Sequence, residues 1–354
     1  MGDITESKPW IVVLGGFLGA GKTTLILAAA RELERRGKRC AILMNDQGSE
    51  LVDTRLAELH GLPSGEVTGG CFCCRFSGLM EAAAQLRAFA PDVIFAEPVG
   101  SCADIVATVL RPLEEYRQTY RIAPFTVVID PQRANALNRP ESDADLGFLF
   151  RKQMEEADLL CFNKADLYPD LPDMPGRTVR QISAATGQGV SAWLSEVLSG
   201  TLVSSRDNLD IDYEQYARAE AALTWLNFGA TLRLSYAATP LMAIGPFLDA
   251  LVGNLTDAGV SIVHLKMIAA APTGFVKAAM CSNDQEPQIE GNLDASPSET
   301  MDLLLNLRAL GPVELLRASV EAQLTQFDGT LDAVHLECFT PAAPKPERRI
   351  LAPH

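Results

Sequence analysis

Between residues 10 and 198, short apolar runs alternate with amphipathic stretches. WIVVLGG precedes a helical pattern over 22–34, CAILMN precedes a mixed segment, and DVIFAEP precedes a helix over 103–115. FTVVID at 125–130, DLLCFN at 158–163 and TVRQIS at 178–183 continue the rhythm, the last leading into a helix through Trp193. Runs that are apolar at every position suit strands buried on both faces, so the pattern predicts an α/β domain with a mostly parallel sheet wrapped by helices. The polar stretch SSRDNLDID at 204–212 closes it, and YEQYARAEAALTWLN follows, with Tyr216, Leu223 and Leu226 at helical spacing. Then come ATLRLSY, a helix over 240–257, VSIVHLKMI, GFVKAAMC, a loop over 282–298, MDLLLNLRA, a helix over 313–327, and AVHLECF. The order β-α-β-β-β-α-β is close to a split βαβ and predicts a smaller α+β ferredoxin-like domain with one extra strand. The expected division is a first domain at 1–205, a linker and helix at 206–227, a second domain at 228–341, and a loose proline-rich tail at 342–354.

Charge and composition narrow the function classes. Thirty basic against 45 acidic side chains give a net charge of −15, with no basic run longer than two residues, so nucleic acid is not an expected partner. The apolar runs fall far short of a membrane span, and the segment MGDITESKPW lacks the basic-then-apolar order of a secretory signal, so the expected location is cytoplasmic. Eight cysteines are too few for a disulfide scaffold, and three of them crowd into GGCFCC.

Residues 16–23, GFLGAGKT, fit GxxxxGK[ST] between an apolar strand and a helix, the context in which that pattern binds phosphate. Gly16, Gly19, Ala20 and Gly21 let successive N–H groups face the phosphates, Lys22 reaches the β and γ phosphates, and Thr23, with Thr24 behind it, offers a hydroxyl to Mg²⁺. Asn163-Lys164-Ala165-Asp166 follows a buried strand, where doubly wound sheets place ligand loops. The Asp166 carboxylate matches the paired N–H donors of guanine, an edge adenine lacks, so GTP is expected over ATP. Ser183 and Ala184 stand at the next strand end, in the place of a second guanine-contacting loop. The bland readings are a glycine-rich turn and a surface loop. The fixed order of these segments weighs against both.

Two more carboxylates lie at strand ends. Glu97 and Gly100 in EPVG pair an acid near Mg²⁺ with a glycine N–H facing the γ-phosphate, and Asp46 in MNDQG is placed to hold Mg²⁺ or the attacking water. Lys22, Asp46 and Glu97 are therefore the catalytic candidates, and Thr23, Asp46 and Glu97 the Mg²⁺ ligands. Asp92 and Asp130 fit less well, Asp130 for want of a partner.

Cys71, Cys73 and Cys74 supply soft donors from one turn, suited to Zn²⁺, Cu⁺ or Co²⁺. A fourth ligand is missing locally; water, Asp46, Glu50, a partner subunit or Cys102 would complete the shell. A redox pair is disfavoured because no CxxC is present and Cys73 adjoins Cys74. Cys40, Cys161, Cys281 and Cys338 read as core, and His60, His264, His335 and His354 form no cluster.

GGFLGAGKTT, MNDQG, GGCFCC, EPVG and NKAD, in that order over residues 15–166, resemble the CobW-like metallochaperone GTPases, relatives of the urease and hydrogenase maturation GTPases. The resemblance implies a P-loop GTPase domain with weak intrinsic GTP hydrolysis, a transition metal (Zn²⁺ or Co²⁺) on the three cysteines, and hand-over to a client metalloprotein. Asp46 and Ser49 stand where many members carry NExGE, and the histidine-rich tract of many members is missing. No catalytic glutamine or arginine finger is evident, so turnover is expected to be slow and to need a partner or a homodimer. Two competing readings are a regulatory GTPase with a structural zinc and a P-loop small-molecule kinase; NKAD argues against the kinase.

Overall fold

The computed structural model describes residues 8–352 except positions 50, 138, 140, 141, 172, 173, 175, 203, 205 and 206. Two compact units are present: Met1–Gln47, Asp53–Ala219 and Pro344–His354 form one, Gly48–Val52 and Glu220–Ala343 the other. Glu50 lies outside the described residues.

The first unit runs β1 (Trp10–Gly15), α1 (Lys22–Arg35), β2 (Cys40–Asn45), α2 (Val52–Leu59), β3 (Ser64–Val67), α3 (Phe76–Leu86) and β4 (Val93–Glu97). A π-helical stretch, Val106–Leu110, then passes into α4 (Arg111–Glu114), followed by β5 (Arg121–Ile122), β6 (Thr126–Ile129), α5 (Pro131–Leu137), α6 (Ala144–Glu155), β7 (Leu159–Phe162), β8 (Val179–Gln181), α7 (Val190–Val197) and α8 (Tyr213–Ala221). The strands pair in parallel in the order β3-β2-β4-β1-β6-β7-β8, with β5 beside β1. Strands β2, β4, β6 and β7 are buried at every position, as their unbroken apolar runs require. Because all strands point one way, the loops after β1, β2, β4, β6, β7 and β8 emerge at one edge of the sheet.

Helix prediction over 103–115 meets an irregularity. Asp104 adopts φ 61° ahead of the π-helical stretch, and Pro112 opens α4. Behind it, the buried Glu156 carboxylate accepts the Val106 N–H at 3.0 Å. Burial pushes the Glu156 carboxyl well above its ordinary range, and the nearby Asp104 charge adds to the effect. A carboxyl whose folded value is raised stabilises the fold below about pH 4, its unfolded value, and that stabilisation fades as pH rises toward the folded value. Glu156→Gln keeps the acceptor without titrating, so it is expected to stabilise the protein by about 1 kcal/mol at pH 8 and by less at pH 5. Thermal unfolding at the two pH values checks this; no change or a destabilisation at pH 8 refutes a raised Glu156 carboxyl.

The second unit runs β9 (Thr224–Ala238), α9 (Pro240–Asp257), β10 (Ser261–Ala271), β11 (Gly274–Met280), β12 (Gln288–Gly291), β13 (Ser298–Leu310), α10 (Val313–Leu324) and β14 (Gly329–Phe339). Its sheet is antiparallel throughout, ordered β12-β11-β10-β13-β9-β14. The four strands β14-β9-β13-β10 reproduce the split-βαβ order, and β11 and β12 extend the edge beyond β10. The sequence predicts one extra strand; β12 lies inside the predicted loop over 282–298 and makes a second. The helix predicted through Leu226 stops at Ala221, and Leu223 and Leu226 lie beyond it. From Thr224 the aromatic and β-branched residues of TWLNFGATLRLSY go into a long strand, where Leu226 and Phe228 enter the core.

Gly48–Val52 is pinned to this second sheet by polar groups. Ser49 N–H donates to Glu337 at 2.6 Å, and Val52 N–H donates to the Asn306 side chain at 2.9 Å. Asn227 ties the layer together, donating to Glu337 at 3.0 Å and accepting from Asn306 at 3.1 Å and Arg308 at 2.7 Å. A Cβ on Gly48 would fall 1.9 Å from Asn227 and 2.3 Å from Glu337, so the backbone approaches this closely only with glycine.

Candidate functional site: a phosphate loop, two base loops and a cysteine turn

After β1 the chain turns through Gly16, Gly19 and Gly21 at φ 138°, 79° and 88°. A Cβ on Gly16 would stand 2.3 Å from the Val128 carbonyl and one on Gly21 2.4 Å from the Asn163 amide, so the loop lies tight against β6 and the base loop. Lys22 and Thr23 begin α1 and are buried. Lys22 Nζ donates to the Gly16 carbonyl at 2.9 Å and stands 3.8 Å from Glu97. Thr23 Oγ1 lies 3.0 and 3.2 Å from the two Glu97 carboxylate oxygens. Adjacent ligands of an octahedral Mg²⁺ at about 2.05 Å are about 2.9 Å apart, so this oxygen pair fits that ion. Thr24 follows on α1, half-buried, and Ala20 N–H closes the turn onto the Phe17 carbonyl at 3.1 Å.

Glu97 ends β4, and Gly100 packs against the phosphate loop: a Cβ there would meet Leu18 Cδ2 at 2.8 Å and Leu18 N at 3.2 Å. Asp46 stands half-buried just beyond β2, its N–H directed to the Val67 carbonyl at 3.3 Å.

Asn163 is a brace. Its amide donates to the Ala20 carbonyl at 2.9 Å and accepts the Ala184 N–H at 2.9 Å, joining the phosphate loop to both base loops. Lys164, at φ 60°, holds Asp130 at 2.7 Å. Asp130, for which the sequence suggests no partner, thus anchors the base loop while its other oxygen accepts the Gln132 N–H at 2.9 Å at the start of α5. Asp166 is exposed, and Ser183 and Ala184 are buried, with Ser183 Oγ accepting the Thr186 N–H at 3.1 Å. Asp92, set aside in the sequence, caps the other edge of the sheet by binding Lys38 at 3.0 Å and the Arg39 N–H at 2.9 Å.

The cysteine turn lies between β3 and α3. Its shape depends on Asn45, a residue the sequence reading passed over in favour of its neighbour Asp46. Asn45 donates to Val67 and Gly70 carbonyls at 2.8 Å each and accepts the Phe72 N–H at 2.7 Å. Buried Phe72 anchors the turn, and N–H groups of Cys74 and Arg75 close onto the Cys71 carbonyl at 2.9 and 3.0 Å. Cys71 and Cys74 sulfurs are 3.3 Å apart, Cys73 and Cys74 sulfurs 3.7 Å, and all three lie within 4.8 Å of one another. A tetrahedral zinc with Zn–S near 2.3 Å spaces its sulfurs about 3.8 Å apart, so the cluster is close to a ligand set.

Cys102, five residues after Glu97, is buried, and its side chain interacts with those of Cys71 and Cys73 beside the three-sulfur set. Hydrogen bonds from Cys102, Cys73 and Cys74 hold the Cys71 thiol well below the ordinary range. Cys73, on the other side of such bonds to Cys102 and Cys71, is pushed well up, and Cys74 is pushed up to about 11, chiefly by Cys71. The hydrogen bonds within the cluster thus favour the charged form at Cys71 and the neutral form at Cys73 and Cys74. Gln153 on α6 donates to Gly100 and Cys102 carbonyls at 2.9 Å each, fixing the segment that reaches from the phosphate loop to the sulfurs.

No helix among the described residues is long and apolar enough to cross a membrane. The chain is 31% identical over 162 residues to the zinc chaperone YeiR of Escherichia coli (strain K12), covering 44% of this chain and 46% of that one. It is 29% identical over 176 residues to the zinc-regulated GTPase metalloprotein activator 1 of Schizosaccharomyces pombe, covering 47% and 41%. The chain thus spans less than half the length of these two curated relatives. Among solved structures, HypB from Helicobacter pylori in complex with nickel aligns with TM-score 0.41 and 15% identity over 56% of this chain and 91% of that one. Zn(II)-bound YjiA GTPase from E. coli aligns with TM-score 0.33 and 12% identity over 90% and 99%. The CobW/HypB/UreG nucleotide-binding domain matches residues 10–187, half of the chain and the whole run from phosphate loop to second base loop, and the chain belongs to that family.

Proposed function

We propose that the chain is a GTP-hydrolysing metallochaperone that carries zinc, with cobalt as the other candidate, on Cys71, Cys73 and Cys74 and couples the nucleotide cycle to delivery of the metal to a client metalloprotein. The names of the two curated relatives, a zinc chaperone and a zinc-regulated GTPase metalloprotein activator, support zinc first. The observation that carries the reading is that one short stretch serves both chemistries. Glu97 meets Thr23, Gly100 abuts the phosphate loop, and Cys102 joins the cysteine cluster.

In this reading the loop amides and Lys22 hold the triphosphate, and Asp166 selects guanine by accepting from its paired N–H donors. Thr23 and Glu97 would hold Mg²⁺, which when bound neutralises charge between the β and γ phosphates. Asp46 orients the attacking water. A γ-phosphate against Gly100 N–H fixes the stretch to Cys102 and so sets whether the fourth sulfur closes the metal shell; loss of the phosphate frees it. Cys74 is half-buried where Cys71 and Cys73 are buried, and this less enclosed side favours a delivery site over a sealed structural zinc. Intrinsic turnover is slow, with a client or a second copy supplying what the site lacks.

The coupling is testable because it must be reciprocal. Zinc affinity of the reduced protein, measured against a chromophoric chelator, is expected to change about tenfold, or about 1.4 kcal/mol, on adding GTP·Mg²⁺, with GTP affinity changed by the same factor on adding zinc. In Asp166→Asn the same shift is expected from xanthosine triphosphate and not from GTP. Equal zinc affinity with and without nucleotide ends the coupling; a GTP response unchanged in Asp166→Asn ends the base assignment.

A further inference from the structure

The sequence predicts a loose tail at 342–354, yet its described residues from Pro344 onward belong to the first unit and are bonded to it at several points. Lys345 N–H donates to Cys74 Sγ at 3.2 Å, and Glu347 N–H donates to the Cys73 carbonyl at 2.9 Å. The Glu347 carboxylate takes both the N–H and the hydroxyl of Ser77 at 2.6 Å, capping α3, whose own N-cap residue Arg75 makes no side-chain cap bond. Arg348 grips Glu115 through two nitrogens, at 2.8 and 2.5 Å.

The anchoring continues beyond the cysteines. Arg349 Nε binds Asp104 at 2.7 Å, on the same oxygen that accepts the Tyr213 hydroxyl at 2.7 Å, and Asp104 is fully buried. Ile350 N–H donates to the Ala107 carbonyl at 2.8 Å, and Arg111 returns a bond to the Ile350 carbonyl at 2.8 Å. The π-helical register explains the vacancy at Ala107: its partner five residues on is Pro112, which has no N–H, so the tail supplies one. Asn208 accepts the Ala352 N–H at 2.7 Å.

Two features of this path bear on the sulfurs. Cys71 and Cys73 are buried, at 5% and 1% exposure, whereas Cys74 is half-buried, so Cys74 is the most accessible of the three sulfurs, and a tail amide rests on it. Arg349 also compensates a buried carboxylate, so the tail is latched at a charge whose burial without a cation is costly.

We propose that residues 345–352 form a strap that gates the cysteine cluster: latched through Arg349 and Asp104 it lies against Cys74 and narrows the approach to it, and it lifts to give a metal, or a client's thiols, full access to that sulfur. The inference rests on the metal reading of the cysteines, and its test separates the two. A Zn–thiolate exchange needs the incoming ligand beside the outgoing one; closed, the strap holds that ground with the Lys345 N–H.

The experiment uses full-length reduced protein, wild type against Arg349→Gln and Glu347→Gln, with Arg349→Lys as the conservative variant. Cys74 carbamidomethylation by iodoacetamide is followed by peptide mass in metal-free protein, and zinc release to a chelator is followed in zinc-loaded protein. Both rates are expected to rise about tenfold in Arg349→Gln and less in Arg349→Lys, as for a local opening held by one ion pair to a buried carboxylate. Glu347→Gln, which leaves the latch intact, keeps the test valid if Arg349→Gln fails to fold, and should speed alkylation by a few-fold. Unchanged Cys74 alkylation in both folded variants overturns the strap. Faster alkylation in a protein that holds no zinc on its cysteines supports the cover and overturns the metal reading instead.

Discussion

Replacing Lys22 with alanine is expected to lower GTP hydrolysis by about 100-fold or more, the scale seen when one preorganised donor to a developing charge is removed. The ammonium is buried at the head of α1, 2.9 Å from the Gly16 carbonyl and 3.8 Å from Glu97, with its position set by the loop that surrounds it. Arginine is not an adequate substitute, because a planar fork does not fit a socket shaped for a compact point charge. The alanine variant also leaves Glu97 buried without its nearest cation, so part of the effect is structural. Phosphate release measured beside thermal unfolding and nucleotide binding separates the two: a variant folded as well as wild type but inactive supports the assignment. Hydrolysis at the wild-type rate would remove the phosphate loop from the mechanism.

The second large effect is on metal. With Cys71, Cys73 and Cys74 all changed to serine, zinc affinity is expected to fall by about 1,000-fold or more, since thiolates supply most of the binding free energy at such a site. GTP hydrolysis should persist, because the sulfurs make no part of the phosphate loop or the base loops. The turn itself should survive, being held by backbone bonds to Asn45 and by buried Phe72 and not by sulfur. Zinc bound stoichiometrically by the folded triple variant would place the metal elsewhere.

Where a residue's placement depends on its neighbours in sequence, the chain is legible. The phosphate loop and NKAD lie at strand ends because glycine spacing and apolar runs state both the turn and the strand before it. The CobW-like resemblance read from those motifs agrees with the family match over residues 10–187. Roles that depend on distant partners were harder to read. Asp130 offered no signal, since its partner Lys164 is 34 residues away. Asn45 was overshadowed by Asp46, because a carboxylate at a strand end suggests chemistry and an amide there does not. Leu223 and Leu226 misled by accident of spacing: apolar residues three apart fit a helix, but the β-rich residues after Ala221 carried the stronger preference. The tail was mistaken for a loose end because proline-rich composition reports what the backbone cannot do alone, not what Glu347, Arg348 and Arg349 find elsewhere.

The two units are threaded through one another in sequence. Five residues after Gln47 belong with the second, and the last eleven residues return to the first. Neither unit is therefore a contiguous cassette. A gene fragment ending near residue 219 would encode a nucleotide site stripped of the segment that covers its thiols, and a recombination event that exchanged the C-terminal half would import that segment from another lineage. Its charges would then have to match an Asp104 and a Glu115 they had not evolved beside. Inheritance of the second unit is thus tied to compatibility with the cysteine turn of the first.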